Sequence, residues 1–419
     1  MMKKNRLALF VCPIVLALTA YSISVWSQQA VQNAAEKPNE EVIKNATTIE
    51  EIIPELSKLG PKNKAFFDAL APYRSVLGKE HSLVVEYNQT GSTPERKDQL
   101  QEEHEKLLVE AENCRRALVA ATVDAFNEAP YENFIVAEFC MSMIHYENAR
   151  DNCEVAFKLA DAIIAHPEGL TDQAGGFYVM AADAAFNCME FDKAEQWYAK
   201  AVSLKTQLPN ESLGNQRDIA EQKKFWADEL VIRAQEAQAD NLPRVLIKTN
   251  KGDITLELFE DQAPNTVANF ISLVKMGFYK DVPFHRVLEG FMAQGGDPSG
   301  TGMGGPGYSI DCECYVKAGQ PIPRKHFRGS ISMANAGRDT NGSQFFLMFS
   351  PTTLNPMGTL NGKHTVFGHV IDGMEVLADI QRINPQDEVI TVEPDRIIEA
   401  KVLRDRGHVY EPVKNRNRR

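Results

Sequence analysis

Arg286 is the one full cation in Phe284-His285-Arg286-Val287-Leu288-Glu289-Gly290-Phe291-Met292-Ala293-Gln294-Gly295-Gly296-Asp297, a run rich in bulky apolar side chains that carries one amide. An apolar segment with a fixed guanidinium has the make-up of a small greasy pocket wall with a single strong donor. Such a donor acts more strongly where water is excluded. Three further stretches combine polar and apolar types in the same way: Ser332-Met333-Ala334-Asn335-Ala336, Asn341-Gly342-Ser343-Gln344-Phe345-Phe346, and Gly362-Lys363-His364-Thr365-Val366-Phe367-Gly368. Other chemistry is sparser. Cys312-Glu313-Cys314 sets two thiols two residues apart, which on a strand share a face. A metal pair, a redox disulfide and plain structural thiols all fit that spacing, and no Cys/His cluster with zinc-like spacing follows it. Gly300-Thr301-Gly302-Met303-Gly304-Gly305 formally fits G-x-G-x-x-G, but Pro306-Gly307 stands where the helix should begin and no βαβ unit surrounds it. Neither a G-x-S-x-G elbow nor H-E-x-x-H occurs. Nucleotide binding by that loop, serine hydrolysis of the elbow type and zinc proteolysis are thereby excluded.

Together the four stretches closely resemble the cyclophilin family of peptidyl-prolyl isomerases, over residues 243 to about 407. The resemblance implies a closed eight-stranded β-barrel capped by two helices, and catalysis of rotation about X–Pro bonds. That rotation crosses a barrier of about 18–20 kcal/mol set by amide resonance. Its catalysis calls for no nucleophile, acid or metal, and no cofactor is expected. By resemblance, Arg286 supplies the catalytic guanidinium, Gln294 orients it and the substrate backbone, and Gln344 takes a carbonyl on the same side. Phe291, Met292, Phe346, Leu360 and His364 are implied to line the proline pocket, with His364 as wall and not base. Ala334, Asn335 (through its backbone) and Ala336 are implied to hold the residues preceding proline. One departure stands out. The interval from Gln344 to Leu360 is longer than the family's, through Ser350–Gly358, and Thr359 stands where an aromatic is common. The implied partners are proline-containing unfolded or flexible polypeptides. The rival expectation is a chaperone or scaffold module that binds proline segments, is targeted by the rest of the chain, and turns them over only incidentally.

These residues need a scaffold, and the remaining sequence outlines one. A chain of 419 residues is long for a single domain. Residues 1–240 carry 24 Lys/Arg against 37 Asp/Glu, while 241–419 carry 21 against 20. An N-terminal half so acidic repels phosphates, which argues against nucleic acid as its partner. Lys3, Lys4 and Arg6 precede an apolar, uncharged run from Leu7 to Trp26, so residues 1–27 are expected to be a signal peptide or membrane anchor. The protein is then expected outside the cytoplasm, periplasmic or secreted, with 7–26 as the tether if retained. Residues 28–46 read as a flexible linker and 47–240 as an acidic α-helical domain, an array of helical hairpins.

Thr48-Ile49-Glu50-Glu51 reads as a capping box. Thr93-Pro94 reads as an N-cap with proline at the first helical position. Leu100, Leu107, Leu108, Ala111, Cys114, Leu118, Ala121 and Ala125 then mark one face of a long helix. Tyr178, Ala182, Ala185, Phe186, Phe191, Ala194, Tyr198 and Ala201 resemble one tetratricopeptide unit, for which a protein partner is one expected use. From Pro243 the period changes to two. Val245, Ile247 and Thr249, then Ile254, Leu256 and Leu258, flank Lys251-Gly252-Asp253 as a β-hairpin. Pro264–Phe278 reads as an amphipathic helix, with a second near Gly373–Ile380. Residues 241–407 form the expected isomerase domain and 408–419 a basic tail.

Overall fold

The computed structural model describes residues 38–46, 48–89, 93–170, 174–315, 323–351, 360–387 and 392–415. The chain forms two compact units, Met1–Tyr146 with Val155–Gln173, and Glu147–Glu154 with Ala174–Arg419. The expected signal or anchor at 1–27 and the segment 352–359 lie outside the described residues, as does the end of the tail from 416. The expectation of a protein outside the cytoplasm, tethered through 7–26, is corrected. Among the described residues no helix is long and apolar enough to cross a membrane, and 7–26 is not among them.

The first unit is helical. It contains α1 (Glu40–Asn45), α2 (Ile49–Leu56), α3 (Pro61–Asn88), α4 (Pro94–Glu128) and most of α5 (Phe134–Ala149) and α6 (Cys153–Ile164). Helix α1 falls within the stretch read as a flexible linker. Asn39 caps it, its side chain accepting from the N–H groups of Glu41 and Val42, which satisfies two otherwise orphaned donors. Thr48 stands at the N-cap of α2 but makes no side-chain cap bond, so no capping box forms. Thr93 does cap α4, accepting from the Arg96 N–H at 3.3 Å. Along α4 the buried face takes Leu100, Ala111, Leu118 and Ala125, and it also takes polar His104, Arg115 and Thr122. His104 meets the buried Glu80 at 3.3 Å, which is how a polar group is tolerated on a core-facing stripe.

In the second unit α7 (Gly175–Asn187) and α8 (Phe191–Ser203) pack side by side, with Ala182, Ala185, Ala194 and Ala201 wholly buried between larger side chains. Helix α9 (Asn210–Ala239) follows. Next come β1 (Arg244–Thr249) and β2 (Gly252–Leu258), a hairpin in which Ile247 faces Ile254 across the strands. Helix α10 (Pro264–Lys275) buries Val267, Phe270, Ile271 and Val274. Strands β3 (Val282–Pro283), β4 (Arg286–Leu288), β5 (Met292–Gly295), β6 (Ser330–Met333), β7 (Phe345–Met348) and β8 (Val366–Asp372), the short α11 (Met374–Ala378) and β9 (Arg396–Arg404) complete it.

The strands make one curled sheet of nine among the described residues, ordered β3-β9-β1-β2-β8-β6-β7-β5-β4. The closed eight-stranded barrel is not confirmed, since among the described residues no ladder joins the end strands β3 and β4. The reason lies in one short run that changes partner. Val282 and Pro283 pair with β9 and the Phe284 N–H still donates to Asp395 O, whereas Arg286 onward pairs with β5. Two short strands thus stand where a single barrel strand was expected. One face of the sheet and α10 enclose the core, which includes Val287, Ala293, Ile331, Met333, Phe345 and Leu347.

Candidate active site

Side chains alternate across a strand, so the neighbours of those core residues point to the opposite face. There the register sets them in rows. Arg286 lies opposite Gln294, Gln294 opposite Phe346, and Phe346 opposite Ser332, across four successive strands. One step along, Leu288 lies opposite Met292 and Met292 opposite Met348. Met292, Phe346 and Met348 form a small buried apolar cluster of their own, flanked by half-buried Leu288, Phe291, Ala334 and Leu360. The result is an apolar pocket with one guanidinium at its side.

Polar groups fix the wall through a short relay. The Arg286 guanidinium donates to Gln294 Oε1 at 3.3 Å, and Gln294 Nε2 donates to Gln344 Oε1 at 3.0 Å. Gln344 Nε2 in turn donates to the carbonyls of Gly302 and Gly304, each at 2.9 Å. The Arg286 guanidinium also lies 5.9 Å from the centre of the Phe291 ring, a cation–π arrangement. Burial lowers the Arg286 pKa from its usual range.

The glycine-rich loop now has a structural reason. The Asp297 carboxylate accepts from the N–H groups of Ser299, Thr301, Gly302 and Gly304 at 2.7–3.1 Å. Burial opposes its ionisation, but the Ser299 hydroxyl and these N–H groups prevail and hold its pKa down to about 2. A Cβ on Gly304 would come within 2.0 Å of Asp297 Oδ1. The loop is therefore a cradle for the chain's own carboxylate, and its carbonyls anchor Gln344.

Opposite Arg286, His364 meets the Phe346 ring edge-on, with centroids 5.5 Å apart. Its Nδ1 lies 2.9 Å from the Met333 carbonyl. Burial lowers the His364 pKa, outweighing that bond. The loop of Ala334, Asn335 and Ala336 is held by its neighbours. Ala334 N–H donates to Gln344 O, Ala336 N–H to Thr340 Oγ1, and Asn335 Nδ2 to Asn341 Oδ1 and to Lys363 O. The structure brings Arg286, Phe291, Met292, Gln294, Ala334, Gln344, Phe346, Leu360 and His364 together, while Asn335 and Ala336 follow Ala334 in the adjoining loop.

Several residues that matter to this geometry carried no readable signal. His326 lies flat against the far side of Phe346, the rings 5.7 Å apart and inclined by 9°. It bridges Asn361 Oδ1 at 2.8 Å and Ser332 Oγ at 2.9 Å, and its deep burial holds its pKa down to about 3. The turn Glu289–Phe291 is fastened from Arg150–Glu154, part of the same compact unit. Gly290, at φ +68°, donates its N–H to Asp151 Oδ1 at 2.8 Å. Asp151 Oδ2 accepts from Arg382 at 2.6 Å. Phe349 N–H donates to Phe291 O, and the Phe349 carbonyl accepts from Arg328, whose guanidinium also grips both oxygens of Glu154. A helix-helix reading of the sequence around residue 150 has no means of foreseeing a partner so distant in the chain.

Among the described residues one group of side chains gathers metal-ligating atoms, Cys153, Glu154 and Cys188. Both Glu154 oxygens are already engaged by Arg328, and that buried cation disfavours a metal ion beside it.

Comparison with known proteins matches the same part of the chain. Residues 244–402 match the family model of the cyclophilin type peptidyl-prolyl cis-trans isomerase/CLD. A peptidyl-prolyl cis-trans isomerase of Helicobacter pylori is 54% identical over 138 residues, which are 32% of this chain and 78% of that protein. Peptidyl-prolyl cis-trans isomerase B of Bacillus subtilis is 47% identical over 136 residues, 32% of this chain and 88% of its own. A crystal structure of a cyclophilin type isomerase from Cryptosporidium parvum covers 38% of this chain and 97% of its own, at 37% identity and a TM-score of 0.32. With a guanidinium set beside a small apolar cluster, and relatives matched over most of their length, this chain belongs to the cyclophilin-type peptidyl-prolyl cis-trans isomerase family.

Proposed function

We propose that the pocket on the outer face of β4, β5, β7 and β6 isomerises X–Pro bonds in flexible polypeptides and so assists their folding, with Arg286 as the catalytic residue. The observation that carries this is the strand register that puts Arg286, Gln294 and Phe346 in one row above the Met292–Phe346–Met348 cluster. A proline ring seated on that cluster leaves water, and its imide nitrogen comes to lie toward the guanidinium. As the amide twists, the nitrogen becomes pyramidal and gains a lone pair. A donor that bonds this lone pair stabilises the transition state and not the planar ground state, so it raises the rate. A charge-assisted bond of about 1.5–3 kcal/mol corresponds to roughly 10- to 150-fold.

Gln294 holds the guanidinium by its oxygen and is itself held by Gln344, so the donor is aimed before substrate arrives. Gln344 has both amide hydrogens on Gly302 and Gly304, which favours an anchoring role over contact with a substrate carbonyl. Ala334–Ala336 is the segment suited to align the chain preceding proline, and His364, uncharged at neutral pH, closes the pocket edge.

The test is cis-to-trans conversion of a proline tetrapeptide. Wild-type protein accelerates it and Arg286→Ala does not. Binding of the peptide by wild-type protein without acceleration would overturn the reading in favour of a module that only holds proline segments.

A further inference from the structure

Cys312 lies beside Asn335 and Asp339, with Cys314 two residues on, and neither takes part in proline isomerisation as described. Cys312 is half-buried and Cys314 buried, so the first thiol is the accessible one. Cys314 lies close enough to Cys312 to alter its titration. Cys312 and Asp339 bond each other reciprocally, the Asp339 N–H to the sulfur at 3.2 Å and the Cys312 N–H to Asp339 Oδ1 at 3.0 Å. Asn335 Nδ2 lies 3.9 Å from the same sulfur. Among the described residues no third Cys, His, Asp or Glu ligand atom gathers with the pair. Glu313 between them is turned away, capping α10 through the N–H groups of Asn265 and Thr266. The arrangement is a dithiol with one outer and one inner sulfur, and not a metal site.

We infer that Cys312 and Cys314 are a second reactive centre, which exchanges thiols with disulfides in the polypeptides held at Asn335. The inference rests on the peptide-binding role proposed above for that segment. The electrostatics agree with it. The neighbouring Cys314, with the Asp339 N–H and the Tyr315 hydroxyl, outweighs burial and holds the Cys312 pKa down to about 6. A lowered pKa raises the thiolate fraction near neutral pH, and the thiolate is the nucleophile. The neighbouring Cys312 and burial push the Cys314 thiol up, which keeps the inner sulfur protonated until it is needed.

The cycle closes on these atoms. The Cys312 thiolate attacks one sulfur of a substrate disulfide, forming a mixed disulfide and expelling the other substrate sulfur as thiolate, which takes a proton from solvent. With the Cys312 charge gone, Cys314 loses the partner that held its proton. It deprotonates and attacks the Cys312 sulfur, forming the Cys312–Cys314 disulfide and releasing the second substrate thiol. Two electrons pass from the pair to the substrate, and a dithiol reductant returns them by the same exchange in reverse.

The test uses the full chain and oxidised glutathione at neutral pH, with tryptic mapping under non-reducing conditions. In wild-type protein the peptide carrying both cysteines should lose two hydrogens. In Cys314→Ser it should hold glutathione on Cys312, and in Cys312→Ser it should stay unmodified. Reduction of a disulfide-linked peptide by dithiothreitol should be accelerated by wild-type protein and fall to the uncatalysed rate in Cys312→Ser. The mapping on wild-type protein alone suffices if a variant fails to fold. Oxidation confined to Cys153 and Cys188, whose sulfurs lie 2.6 Å apart, or no modification at Cys312, would overturn the inference. Tetrapeptide isomerisation measured on the same wild-type sample separates the two activities. Isomerisation without exchange refutes the dithiol alone, and exchange without isomerisation refutes the proposed function alone.

Discussion

The pocket has two walls held by opposite means. The floor and the Arg286 side are built from strand register, in which each residue sits across from the next one on a neighbouring strand. The turn Gly290–Phe291, which closes over them, is tied down by Asp151, 139 positions earlier in the chain. A register wall is shared among many backbone bonds, so removing one side chain leaves its frame standing. A wall tied at a few points, here by Asp151, Phe349 and Ser350, depends more on each of them. This difference predicts where substitutions act on the pocket's surface and where they act on its shape.

The largest effect is expected at the floor. Phe346→Ala removes a buried ring that touches His326, His364 and the Met292 cluster, and should cost about 3–5 kcal/mol of stability. Chemical denaturation measures this, and a loss under about 1 kcal/mol would mean that the floor repacks freely. Asp151→Ala comes next. It leaves the part-buried Arg382 guanidinium and the Gly290 N–H without the carboxylate, at about 3 kcal/mol on the scale of broken buried pairs. Because the Phe291 wall is then released, tetrapeptide turnover should fall roughly tenfold, equivalent to about 1.4 kcal/mol. Stability lost with turnover intact would show that the tie does not shape the pocket.

The legibility of the two walls differs in the same sense. Four short stretches implied the rows because a period of two fixes which side chains share a face, and Arg286, Met292, Gln294 and Phe346 obey it. That the Pro243–Leu258 region forms a hairpin and Pro264–Lys275 a helix followed from equally local patterns. What stayed hidden was non-local. Asp151 and Glu154 carried no site signal in the sequence, yet they reach Gly290 and Arg328. The partner change at Phe284–His285 that makes nine strands out of an expected eight depends on how far the sheet curls, which no window of sequence contains. Gln344 was assigned to substrate by resemblance, whereas the carbonyls that hold it belong to a glycine loop shaped by Asp297. The acidic charge excess did not disclose that α7–α9 share a compact unit with the sheet.

A pH effect sharpens the comparison at smaller scale. His326 backs the register-built floor, and burial holds its pKa at about 3, below the value of about 6.5 in an unfolded chain. Its folded pKa is the lower one, so the unfolded state takes up the proton first as pH falls. The stability is complete above about pH 6.5 and is lost on acidification toward the folded pKa, at up to about 1.4 kcal/mol per pH unit. Denaturation of wild type and His326→Gln between pH 6.5 and pH 4.5 should show that extra slope in the wild type only. Equal slopes would place His326 outside the packed floor. The smallest effect is expected for Gln294→Ala. It removes the long 3.3 Å bond from the Arg286 cation to a neutral amide, and that amide's bond to Gln344, and should lower turnover about tenfold, consistent with about 1.5 kcal/mol, with stability nearly unchanged.

The central claim is that the Arg286 bond exists in the twisted amide and not in the bound planar one. Exchange spectroscopy on a proline peptide reads both quantities in one sample, the dissociation constant and the cis–trans rate of the bound peptide. Arg286→Ala should slow bound-state exchange by roughly 100-fold, about 2.7 kcal/mol, while the dissociation constant moves by less than about threefold. A variant that loses affinity as fully as it loses rate would contradict the account, because Arg286 would then be holding the substrate and not its transition state.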